Sequence, residues 1–174
     1  MQDKEEKRDF ISRTGTGMTI VAWITFLTML FIIFEDLLLE RINPNQNIVT
    51  TVNGYQKEIV LQRNAYGHYV TSGTINDYPV VFLLDTGASD IAIPEPVANE
   101  IGLSKGHAIT IKTANGNVKA YRTRIDSVAV GDIRLYDLNA TILGNMAGEE
   151  ILLGMNFLKH LEIIQKGREL TIRQ

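Results

Sequence analysis

The apolar and polar positions divide the chain into a polar start, one long apolar run, a weakly patterned stretch and a series of short alternating segments. Residues 1–17 interleave Lys4, Lys7, Arg8 and Arg13 with acids and read as a solvated tail. Met18 to Phe34 carries no charge, and threonines are its only polar residues. As a helix rising about 1.5 Å per residue it spans roughly 26 Å, near the lower limit for a bilayer core. Leu37-Leu38-Leu39 extends the run, so a membrane-spanning helix is predicted over 18–39. A helix with no polar face is a poor candidate for the core of a small domain. A cleaved signal needs small residues soon after the apolar run, and Glu35 to Arg41 offers none, which favours an uncleaved anchor. Four Lys/Arg precede the span and only Arg41 follows closely. The predicted topology therefore has the N-terminus in the cytoplasm and residues 40–174 in the periplasm or outside the cell.

Residues 40–62, with Asn43-Pro44-Asn45-Gln46-Asn47, show little periodicity and read as a linker between membrane and domain, ending in a short strand near Glu58 to Leu61. Beyond them the pattern is that of an all-β domain. Tyr69 to Thr71 and Gly73 to Ile75 lead to a turn at Asn76-Asp77. Pro79 opens the apolar run Val80 to Leu84, which reads as a strand buried on both faces. Ile91 to Ile93 is a short strand stopped by Pro94 and Pro96, and Val97 to Ile101 reads as one or two helical turns closed by Gly102. Ile109, Ile111 and Thr113 alternate with polar residues, as do Val118, Ala120 and Arg122; Asn115-Gly116 between them is a hairpin signal. Further hairpins are predicted at Gly131-Asp132 and at Lys166 to Arg168, with a helix over 155–161. Short strands at this spacing favour a closed or folded-over barrel.

Composition narrows the chemistry. A net charge of −3 with no basic cluster in the domain argues against a nucleic-acid partner. With no cysteine, disulfides, thiolate catalysis and Cys-based zinc sites are excluded. His68, His107 and His160 lack metal-ligand spacing, and no cofactor is expected. Asp126, Asp132 and Glu149-Glu150 suit exposed turns, while Arg122 and Arg124 alternate along a strand. The informative stretch is Leu83-Leu84-Asp85-Thr86-Gly87-Ala88-Ser89. An acid that ends an apolar strand is costly unless hydrogen-bonded or functional, and Gly87 is expected to supply a backbone conformation closed to other residues. A turn-capping aspartate is the simpler reading of this stretch alone. A second apolar run, Ile151-Leu152-Leu153-Gly154-Met155-Asn156, again ends at glycine.

This pair resembles the retropepsin-like aspartic proteases, and in particular their bacterial single-domain, membrane-anchored members. Gly67-His68-Tyr69, Asp85 to Ser89, Thr113-Ala114-Asn115-Gly116 and Leu152-Leu153-Gly154-Met155 stand in the family's order and approximate spacing. The resemblance covers about residues 64–174. It implies a small closed all-β barrel with one short helix over residues 63–174, following the tail, the helix and the linker. Such enzymes use two carboxylates that share a proton, one removing a proton from water and the other polarising and protonating the amide. The chain supplies one Asp-Thr-Gly, so the resemblance implies a homodimer with Asp85 from each copy.

The same resemblance gives roles to the neighbours. Thr86 would hydrogen-bond across the dimer axis, Gly87 would bring N–H groups to the carboxylates, and Ala88 and Ser89 would line the substrate channel. Asp90 would contact substrate or cap a turn. Asn115-Gly116 would form the tip of a flap over an extended peptide, or an ordinary hairpin tip. Retroviral members carry Asp where Ser89 stands and Arg where Met155 stands, and the two pair. Losing both leaves no charge unpaired, so the fold is expected to persist while the retroviral interface contacts are not. The expected function is an aspartic endopeptidase of the cytoplasmic membrane that cuts extended segments of secreted or membrane proteins. A non-catalytic peptide-binding module on the same barrel is the alternative.

Overall fold

The computed structural model describes the backbone of residues 2–113 and 116–174, and the side chains of these apart from residues 2–16, 36, 112 and 113. The chain divides into two units, Met1–Leu39 and Glu40–Gln174. The first is helical, and its helix, α1 (Gln2–Ile42), ends just past the boundary. Residues expected as a separate tail are therefore helical backbone from Gln2 onward; the segment is rich in Glu, Lys and Arg, which favour a helix, and contains no proline. The stretch Gly17–Ile42 is long and apolar enough to cross a membrane. Met18, Trp23 and Phe31 are all more than half exposed. The Thr25 and Thr28 hydroxyls donate to the carbonyls of Val21 and Ile24 at 2.9 and 2.8 Å, so these polar groups need no water.

The second unit consists of two sheets. The smaller has the order β1-β2-β11-β10, from β1 (Thr50–Asn53), β2 (Gln56–Gln62), β11 (Glu169–Arg173) and β10 (Glu162–Lys166). The larger uses β3 (Val70–Ile75), β4 (Tyr78–Leu84), β5 (Ile91–Pro94), β6 (Ala108–Thr113), β7 (Gly116–Val130), β8 (Ile133–Leu143) and β9 (Ile151–Leu153). Its order is β3-β4-β9-β5-β8-β7-β6, and β3 also pairs with β7 through Thr74–Ala129 and Ile75–Val128. That extra pairing closes a barrel. Asn76 reinforces it, because its Oδ1 accepts the N–H groups of Asp126 and Ser127 at 2.9 and 3.0 Å. Two short helices, α2 (Glu95–Glu100) and α3 (Met155–Leu158), follow β5 and β9.

The core is aliphatic, with Phe82 and Phe157 as its largest fully enclosed side chains. Ile59 and Leu61 belong to it at 1% and 0% exposure. This corrects the expectation of a linker over 40–62: β2 pairs with β11 from Glu58–Arg173 to Gln62–Glu169, and the unit begins at Glu40. The Asn-rich stretch is ordered too. Asn45 Nδ2 donates to the carbonyls of Val70 and Gln62 at 2.7 and 2.9 Å, and its Oδ1 accepts the Gln62 N–H at 2.7 Å. Side-chain amides there make the bonds a strand's backbone would make, so a loop-like composition gives a fixed segment.

A second correction concerns Val80 to Leu84. Only Phe82 is fully buried, and Val80, Val81, Leu83 and Leu84 are half-buried. The strand is central by pairing, antiparallel to β3 and parallel to β9, yet its flanking positions are only partly covered. Those pairings satisfy the backbone whatever the side chains meet.

Candidate active site

β4 and β5 follow each other in the chain but are not neighbours, because β9 lies between them. Residues 85–90 must therefore arch over the end of β9, and the arch carries Asp85. The parallel pairing of β4 with β9 continues one residue past Leu84, as the Asp85 N–H donates to the Leu153 carbonyl at 3.2 Å. The Asp85 carbonyl accepts the Ala88 N–H at 3.2 Å and closes a turn. Its Oδ1 accepts the Gly87 N–H at 2.8 Å. One carboxylate oxygen thus fixes the side chain, and Oδ2 has no partner among the described residues.

The segment after β9 locks the arch from below. Met155 N–H donates to the Ala88 carbonyl at 2.8 Å, and Asn156 N–H to the Ser89 carbonyl at 3.0 Å. Asn156 Nδ2 reaches the Asn139 carbonyl on β8 at 2.6 Å. Gly154 makes this contact possible: a Cβ there would stand 2.3 Å from the Asp90 carbonyl oxygen and 2.7 Å from that of Ala88. No side chain fits. The glycine that ends the second apolar run therefore supports the aspartate that ends the first.

Gly87 serves a different purpose from the one expected. Its φ is not in the left-handed region, so backbone conformation does not select it. A Cβ would lie 3.1 Å from Asp85 Oδ1, so glycine leaves room for the carboxylate. Thr86 and Ser89 are exposed and Ala88 is half-buried. Asp90 forms an ion pair with Arg122, whose Nη1 also lies 3.4 Å from the Thr141 hydroxyl. Asp90 is thus engaged by its own chain, and Arg122 gains the partner that the sequence left open. Each strand alone gives no sign of this pair; β8 lies between β5 and β7 and brings the residue before Ile91 near Arg122.

Ala114 and Asn115 lie outside the described residues. Around them β6 and β7 pair from Ala108–Tyr121 to Thr113–Gly116, while β7 meets β8 only from Ala120 onward. Among the described residues, Gly116 to Lys119 have β6 as their paired strand and not β8, and the hairpin projects past the barrel wall. His68, His107 and His160 are all exposed.

Asp85 and Thr86 border a cavity of ≈ 410 Å³, also lined by Arg63, Tyr69, Leu158 and Ile163. Tyr69 is tied to β4, because its carbonyl accepts the Leu84 N–H at 3.0 Å. Sequence reasoning did not single out Arg63, and its isolated position in the chain carries no signal.

Residues 71–160 match the protein family described as "gag-polyprotein putative aspartyl protease". The chain belongs to the retropepsin-like aspartic proteases. It is 33% identical over 144 residues to an uncharacterised protein in the cobV 5′ region of Sinorhizobium sp, covering 80% of this chain and 62% of that protein. An uncharacterised protein, RP867, of Rickettsia prowazekii (strain Madrid E) is 31% identical over 118 residues, which cover 66% of this chain and 50% of that one. The chain thus spans between a half and two thirds of the length of these relatives. Among solved structures, a retropepsin-like aspartic protease from Rickettsia conorii superposes with a TM-score of 0.55 at 25% identity, over 73% of this chain and 94% of the other. The closed barrel, the inserted β9 and the Asp85 arch are this retropepsin-like chain's version of that fold.

Proposed function

We propose that the protein is a homodimeric aspartic endopeptidase in which Asp85 of two copies activates water. The observation that carries this reading is the arch itself. Asp85 is held by the Gly87 N–H through one oxygen, has no partner for the other among the described residues, and rests on the Gly154 contact. A turn-capping aspartate needs only the first of these features. Each chain brings one such carboxylate, and the chemistry needs two.

With two Asp85 side chains facing each other, like charges a few ångström apart favour a single shared proton. The ionised carboxylate takes a proton from water as the water attacks the peptide carbonyl. The protonated one polarises that carbonyl and delivers its proton to the leaving amine. Thr86, exposed beside the carboxylate, would hydrogen-bond across the dimer axis. The projecting β6–β7 hairpin would close over an extended peptide and exclude water. Ala88 and Ser89 would flank that peptide.

The same reading puts the protein in the cytoplasmic membrane, with residues 18–39 as its single span and the protease unit in the periplasm or outside. An apolar helix long enough to span a bilayer, with internally bonded threonines, suits lipid. Substrates would then be extended segments of secreted or membrane proteins close to the bilayer.

The test is cleavage of an unfolded protein by the full chain in bilayers, beside Asp85→Asn, over a range of protein concentrations. Loss in the variant and a steeper than linear rise with concentration are expected. Peptide binding without cleavage in either protein would replace the enzyme with a binding module.

A further inference from the structure

We propose that Arg63 and Tyr69 form a carboxylate-recognising subsite beside Asp85, which takes an acidic side chain of the peptide being cut. The proposal rests on the endopeptidase reading for its substrate, and on the cavity for its chemistry. Arg63 and Tyr69 both line the cavity that contains Asp85 and Thr86. Arg63 Nε and Tyr69 Oη are enclosed, and neither has a hydrogen-bond partner among the described residues. Tyr69 is 9% exposed overall. Enclosed donors without acceptors are rare in a folded chain, and each calls for an acceptor such as an ordered water, an ion or a ligand group.

The charge balance points the same way. Arg122, Arg124, Arg134 and Arg173 each pair with a carboxylate of the chain. Arg63, like Arg41 and Arg168, pairs with none among the described residues, and of these three it is Arg63 that lines the cavity with Asp85. Its guanidinium lies over the Tyr69 ring, 5.6 Å from the centroid. Its backbone is clamped, with the Arg63 N–H donating to the Arg168 carbonyl at 2.9 Å and Arg168 Nη2 donating to the Arg63 carbonyl at 2.8 Å. The cation is therefore presented from a fixed backbone, stacked on a ring whose own backbone is bonded to β4 one residue before Asp85. A planar guanidinium with a tyrosine hydroxyl beside it matches a carboxylate better than a carbonyl, because the guanidinium offers parallel donors and a charge. Leu84, Leu158, Ile163 and Leu170 supply an apolar wall for the methylenes of a glutamate.

The experiment uses the full chain in bilayers and peptides carrying one Glu, moved position by position around the cut site, each beside its Gln counterpart. At one position kcat/KM should favour Glu over Gln by about tenfold. In Arg63→Gln the ratio should fall to about one, and in Tyr69→Phe, which keeps the ring, to an intermediate value. Peptides with an amidated C-terminus should keep the preference. If amidation abolishes it, the recognised carboxylate is the peptide's terminus and the side-chain assignment is overturned.

The subsite is also overturned by a wild-type enzyme that shows no preference at any position, or by a preference that survives Arg63→Gln. Arg63→Gln lowering both rates alike while shifting the monomer–dimer balance would assign the pair to the contact between copies and overturn it as well. Should no peptide be cut by any form, the endopeptidase reading fails. The affinities of fluorescent Glu and Gln peptides for wild type and Arg63→Gln then decide the subsite by the same ratios.

Discussion

Gly154 stands so close to Asp90 that a Cβ on it would lie 2.3 Å from the Asp90 carbonyl oxygen. The neighbour is backbone, which cannot swing aside, and moving it would drag the arch that carries Asp85. Gly154→Ala is therefore expected to cost about 1–3 kcal/mol of stability, the usual range for overpacking a close contact. Because the strain falls on the arch, cleavage should drop far more than stability. Denaturant unfolding and peptide cleavage on the same preparation would check this; a variant with wild-type activity would show that the arch tolerates the shift.

Asp85→Asn separates chemistry from folding. The substitution keeps the shape of the side chain and the acceptor for the Gly87 N–H at 2.8 Å, while removing the ability to exchange a proton. Stability should move by less than about 1 kcal/mol, and activity should fall by 10²-fold or more, on the order of the contribution of an acid–base group. Mixing gives a sharper result. If each active dimer needs two intact copies, an equal mixture of freely exchanging wild type and variant holds about a quarter wild-type dimers. Activity in the mixture should fall to roughly that fraction of an equal total of wild type. A fall to about a half would mean that the copies do not exchange or act independently, and a value near three quarters that one intact copy per dimer suffices.

The sequence made the site legible where chemistry needs residues close together in the chain, and the fold where patterning is local. Asp85 to Ser89 and Leu152 to Gly154 were identifiable because each ends an apolar run with a glycine. The hairpins at Asn76-Asp77 and Gly131-Asp132 were marked by turn residues, and Asn76, Asp77 and Gly131 do take positive φ. What escaped depends on distant partners. Asn43-Pro44-Asn45 has a loop's composition, and only the presence of Val70 and Gln62 beside Asn45 makes it an ordered segment. Likewise Asp90 and Arg122 are 32 positions apart. The reason for Gly87 also escaped, since space beside a carboxylate leaves no pattern that differs from a turn's need for glycine.

The Asp90–Arg122 pair offers a modest prediction for stability. The two side chains are 33% and 41% exposed, so water screens the attraction, and a double-mutant cycle with Asp90→Asn and Arg122→Gln should give a coupling of under about 1 kcal/mol. Its consequence for cleavage should be larger in KM than in kcat, because the pair holds the strand-ward end of the arch rather than the carboxylate. Steady-state kinetics on the two single variants would read this. A loss confined to kcat would place the pair in the chemistry instead.

The boundary of the protease unit gives the remaining prediction. Ile59 and Leu61 are in the core, β2 is the neighbour of β11, and Asn45 ties residues 43–45 to β3 and the end of β2. A chain begun at residue 63 would leave β11 without one of its two partners and expose the face that Ile59 and Leu61 cover. Removing two fully buried aliphatic side chains alone forfeits about 3–6 kcal/mol of burial, comparable to the whole stability of a small domain. The fragment 63–174 should therefore fail to fold, whereas 40–174 should unfold cooperatively. Within the longer fragment, Asn45→Ala should cost about 2–4 kcal/mol, because it strands the buried Val70 carbonyl and the Gln62 N–H together. Thermal unfolding of the three proteins, followed by circular dichroism, distinguishes the cases. A folded 63–174 would mean that β1 and β2 decorate the barrel rather than complete it.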